Sequence, residues 1–74
     1  MKAKSVITNT IADNIRGVRT EKGMLSVELA RRTGLSKAHV SRYESGKRMP
    51  SLMSLIRIAE GLGVRPQRLL EGVW

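Results

Sequence analysis

A chain of 74 residues with 41% hydrophobic residues spread along its length provides for one compact domain with a single core, and excludes a disordered chain. It has no cysteine, which rules out disulfide frameworks and thiolate metal sites; no apolar run nears the roughly 20 residues that span a bilayer, and Met1-Lys2-Ala3-Lys4 lacks the apolar stretch of a signal peptide, so the chain is expected in the cytoplasm with no membrane partner. Lys and Arg outnumber Asp and Glu by 14 to 6, giving +8, a balance suited to a polyanion.

Residues 1–7 read as a flexible basic arm in which Lys2 and Lys4 add electrostatic attraction. Ile11, Ile15 and Val18 then fall at i, i+4 and i+7, predicting a first helix capped by Thr8 or Thr10 and ended by Gly23. A short second helix is expected from Ser26 to Thr33, with Leu29 and Ala30 inward and Gly34 as its stop. Ser36 caps a third, from Lys37 to about Ser45, whose inward residues are Val40 and Tyr43. Pro50-Ser51 opens a fourth that places Leu52, Leu55, Ala59 and Leu62 in the core, with Ile58 beside them, and ends at Gly63. Pro66 starts a fifth, carrying Leu69 and Leu70. Helical spacing recurs and strand alternation does not, so the fold class is all-α, a single domain over 1–74 with five short helices.

The second and third helices, joined by Thr33-Gly34-Leu35, make a helix-turn-helix over 26–45, because a glycine turn this short leaves the next helix projecting at a steep angle. On the face of that helix opposite Val40 and Tyr43 lie Lys37, Ala38, Ser41, Arg42 and Ser45. The face is basic and small, as a major groove requires: Arg or Lys donates to guanine and an alanine methyl meets a thymine methyl. Between residues 31 and 48, Arg31, Arg32, Lys37, Arg42, Lys47 and Arg48 face Glu44 alone. The expected base contacts are Lys37, Ala38, His39, Ser41 and Arg42. The expected phosphate contacts are Ser26, beside the free N–H groups that open the second helix, with Ser36, Ser45, Lys47 and Arg48.

The runs LARRTGLS (29–36), VSRYESGKRMPS (40–51) and LIRIAEGLGV (55–64) stand in an order and spacing that resembles the Cro/C1-type (XRE) helix-turn-helix family, over roughly residues 11–71. The resemblance implies a lambda-repressor-like DNA-binding domain that regulates transcription from double-stranded DNA. It further implies that Ser45–Pro50 clamps the DNA backbone and that Arg19 and Glu44 form a structural ion pair supporting the third helix. The sequence departs from the family at Leu25 and Ser26, where a Ser or Thr cap and a Gln are usual.

An enzyme is disfavoured, because the six acidic residues are scattered and there is one histidine, no cysteine and no Gly-rich phosphate loop; no catalytic, metal or cofactor site is expected. Binding to a membrane surface would require the apolar stripes that the core needs. Within the DNA-binding class three readings stay open: a phage-type repressor, a restriction-modification controller, and an antitoxin that binds a protein toxin and represses its own operon. A symmetric homodimer on a palindromic operator is expected, with Met53 and Ile56 on one flank of the fourth helix and Val73 and Trp74 at the terminus as its interface.

Overall fold

A computed structural model describes residues 2–74 as four α-helices and a 3-10 segment: α1 (Lys4–Glu21), α2 (Ser26–Thr33), α3 (Lys37–Ser45), α4 (Leu52–Leu62) and the 3-10 turn Pro66–Leu70. The centre of the core is Ile15, Leu29, Ile58 and Leu69, each 0% exposed. They come from α1, α2, α4 and the 3-10 segment, and each is worth about 1.5–3 kcal/mol for its removal from water. The side chain of Asn14 fastens the 3-10 segment to α1 by donating to the carbonyls of Leu69 and Glu71 at 2.9 and 2.8 Å.

α2, α3 and α4 begin and end close to where their sequence signals stand. Ser36 and Ser51 accept hydrogen bonds from the backbone N–H groups of His39 and Ser54, and Gly34 ends α2 in the left-handed conformation at φ 74°. The fifth predicted helix is a five-residue 3-10 segment, Pro66–Leu70, which stops where Glu71 leaves helical geometry at φ −59°, ψ 133°.

α1 differs more. The expected arm over residues 1–7 is helical from Lys4, with Ala3 as an N-cap that makes no side-chain bond; Met1 lies outside the described residues. Thr8 and Thr10 are not caps but interior residues whose hydroxyls donate back to the carbonyls of Lys4 and Val6. The physical reason is Ile7, which packs against the core one turn before Ile11 and so prolongs the apolar stripe. Lys2 is likewise tied down, donating to the Gly72 carbonyl at 2.6 Å. Leu52, expected in the core, is 74% exposed. It occupies the first position of α4, and the buried face of that helix begins one turn later, at Leu55.

Candidate nucleic-acid interface

The turn before α3 is held from both sides. Thr33 donates its hydroxyl to the Ala30 carbonyl at 3.0 Å and accepts from the Leu35 N–H at 3.2 Å, while Leu35 packs on the core. Beyond it α3 buries only Val40, Tyr43 and Glu44, so a small apolar contact anchors a helix whose other sides stay open. Lys37, Ala38, Ser41, Arg42 and Ser45 are all exposed, as their spacing predicts.

The charges of this face are left uncompensated. Among the described residues, Asp13 pairs with Arg16, Glu28 with Arg32, Glu44 with Arg19, and both Glu21 and Glu71 with Arg68. Every side-chain carboxylate but Glu60 is thus engaged with an arginine outside α3 and its following loop. Among the described residues, Lys37, Arg42, Lys47 and Arg48 enter no ion pair. A helix face and an adjoining loop with four unneutralised cations form a positive surface for a polyanion.

The orientation of that surface depends on Glu44. Arg19 grips its carboxylate with two parallel bonds of 2.8 and 2.9 Å, and a third donor of Arg19 reaches the Met24 carbonyl at 2.8 Å. The two side chains keep only 17% and 10% exposure, so the pair sits where a lone charge would be poorly solvated. The other four carboxylates pair at the surface, where such contacts contribute little.

A family model described as helix-turn-helix matches residues 15–69, which takes in most of the core, the turn and α3. The chain belongs to the Cro/C1-type helix-turn-helix family. This helix-turn-helix protein is 35% identical over 54 residues to an uncharacterised HTH-type transcriptional regulator of Sinorhizobium fredii, a match covering 73% of this chain and 70% of that one. It is 30% identical over 56 residues to the immunity repressor protein of Bacillus phage phi105, covering 76% of this chain and 39% of that longer protein. Its structure is similar to that of the restriction-modification controller protein C.AhdI from Aeromonas hydrophila, with a TM-score of 0.81, 31% identity, and coverage of 84% of this chain and 94% of that one. The protein is a DNA-binding transcriptional regulator, a class without enzymatic activity.

Within this helix-turn-helix protein the expected contact residues fall into two groups. Arg42, Lys37, Ala38 and Ser41 share the open face of α3, and Lys47 and Arg48 extend it through the loop. Ser36, Ser45 and His39 are partly committed elsewhere: Ser36 caps α3 and lies 2.7 Å from Nδ1 of His39, Ser45 donates to the Arg42 carbonyl, and the His39 ring tilts against Tyr43 at 6.2 Å. Ser26 is exposed at the start of α2, where Leu25 makes no side-chain cap, in keeping with the departure noted at these two positions. At the proposed interface Met53 is 60% and Trp74 84% exposed, Ile56 is half-buried, and Val73 packs against the chain's own core.

Sequence reasoning missed Arg16. Its guanidinium donates to the Glu44 carbonyl at 2.6 Å and to Asp13 at 2.5 Å, so two arginines of α1 hold both the side chain and the backbone of one α3 residue. Their i, i+3 spacing was the available signal, since it sets both on one helix face.

Proposed function

We propose that the protein is a repressor that binds a palindromic operator as a homodimer, inserting α3 into the major groove of each half-site. The observation that carries this reading is the unpaired basic surface of α3 and its loop, exposed while nearly every carboxylate is engaged elsewhere. Arg42 and Lys37 donate to base edges, and Ala38 and Ser41 are small enough to let the helix approach. Lys47 and Arg48 neutralise phosphates and supply salt-dependent affinity. A two-fold dimer, joined through exposed Met53 and Trp74 with Ile56 and Val73, presents two recognition helices to half-sites about one turn, or roughly 34 Å, apart. The site of action on this reading is the cytoplasm. Similarity to an immunity repressor supports the repressor sense.

Selection of bound sites from random duplex DNA, followed by footprinting, tests the proposal. An enriched inverted repeat protected over two major-groove faces is the expected result, and recovery of no common sequence would overturn it. The likeness to a restriction-modification controller over 94% of that protein supports a second reading, control of a restriction-modification operon. Neighbouring restriction and methyltransferase genes, with an operator upstream of them, would favour it.

A further inference from the structure

Little of α3 is buried, so the place where it ends needs other support. The backbone N–H groups of Gly46, Lys47 and Arg48 all turn back to the Arg42 carbonyl. That leaves the Glu44 carbonyl among the orphan acceptors of the last turn, and Arg16 of α1 takes it at 2.6 Å. A guanidinium is a planar fork, and the other arm of this one donates to Asp13 at 2.5 Å, so the donor aimed at α3 is itself held from behind. Asn9, Asp13 and Arg16 stand at i, i+4 and i+7 on one stripe of α1. Asn9 closes over Gly46, so near that a Cβ at 46 would collide with its side-chain oxygen. One stripe of α1 thus grips α3 where the helix gives way to its loop.

The Arg19 pair does not supply this hold. It ends on the Glu44 carboxylate, which several rotatable bonds separate from the backbone. A bond to the carbonyl removes that slack. Arg42 stands just before Glu44 in the chain and Lys47 and Arg48 just after it, so the placement of this one peptide sets the base-facing side of α3 against the loop cations. We infer that Arg16 is a positioning residue for DNA recognition: held by Asp13, it fixes the Glu44 backbone so that Arg42 on the helix and Lys47 and Arg48 on the loop engage one duplex together. Arg16 does this without touching DNA. The inference rests on the DNA-binding reading and on the phosphate role given to Lys47 and Arg48.

Titrations of the selected operator over a range of salt test this, comparing the wild-type chain, Arg16→Met and Arg16→Lys, each with and without Lys47→Ala. The Arg16 side chain is 49% exposed, and a melting curve for each variant establishes that it is folded under the binding conditions. Arg16→Met should lower the salt slope by about two units, one for each loop cation displaced, where loss of a direct phosphate contact by Arg16 accounts for about one. In that background Lys47→Ala should cost little more, although it weakens binding by the wild-type chain. Arg16→Lys, which still carries a donor to the carbonyl, should restore most of the slope and the Lys47→Ala loss with it. Lys47→Ala losses that are equal in the wild-type and Arg16→Met backgrounds would overturn the inference. A slope lowered by one unit would then make Arg16 a direct contact, and a lowered melting midpoint alone would make it a structural one, with the DNA-binding reading left in place. A wild-type chain with no preference for any duplex sequence would sink that reading and the inference together.

Discussion

Arg42 stands exposed on α3 with no carboxylate partner, whereas Lys47 stands equally free on the loop beyond it, and the difference in position separates their roles. Arg42→Ala should relax base preference within the half-site at a cost of about 1–3 kcal/mol, read from titrations on operator and base-substituted duplexes. Lys47→Ala should weaken operator and random duplex alike and reduce the salt slope by about one unit. Equal losses on every sequence for Arg42→Ala would remove it from base reading. The Arg19 and Glu44 pair belongs to the same scale, because its bidentate geometry and low exposure mean that removing either partner strands the other. Glu44→Ala should cost about 3–5 kcal/mol of stability and lower operator affinity with it. A double-alanine cycle in thermal unfolding checks this, and additive losses from the two sites would show that the pair is not coupled.

At the scale of elements, two helical glycines make opposite demands. A Cβ at Gly61 of α4 would lie 2.9 Å from the Thr33 methyl and 3.4 Å from a Leu29 methyl on α2, so close packing of these helices requires its absence. Nothing lies within 4 Å of the same position at Gly17 of α1. Gly17→Ala should therefore raise stability by up to about 1 kcal/mol through helix propensity alone. Gly61→Ala should lower stability, because overpacking costs about 1–3 kcal/mol and exceeds the propensity gain. In a domain this small about 1 kcal/mol moves the midpoint by roughly 4–8 °C, so two melting curves decide the matter. The opposite signs would be invisible to residue type, since both are glycines inside helices; Gly61 was legible as helical, but its contact with Thr33 brings together residues of different elements. The Leu52 result has the same origin. Its i+3 relation to Leu55 sets it on the apolar stripe, but a stripe does not record where the neighbouring helices stop.

For the whole molecule, the longest dimension is 33 Å and the other two are near 20 Å, so a single copy reaches about one turn of DNA and one major-groove face. A second copy doubles the sequence read. Replacing Met53 by Ser together with Trp74 by Ser should shift the protein toward monomer and weaken palindrome binding far more than half-site binding, with little effect on folding because both side chains are exposed. Sedimentation over a concentration series measures this. A wild-type chain that stays monomeric at high micromolar concentration, with and without operator, would rule out the dimer.

The sequence by itself determined the all-α class, the limits of α2 and α3, the Ser36 cap and the basic face of α3, because each follows from contacts or spacings within a few residues of chain. The Arg19 and Glu44 partnership was implied by family resemblance before any geometry supported it. Tertiary structure alone decided that α1 reaches back to Lys4, that Arg16 seizes the Glu44 carbonyl and that Asn9 closes on Gly46. The reason is physical: helix periods and caps are local, whereas where an arm becomes a helix, or which carbonyl a guanidinium finds, depends on what the rest of the fold brings alongside it.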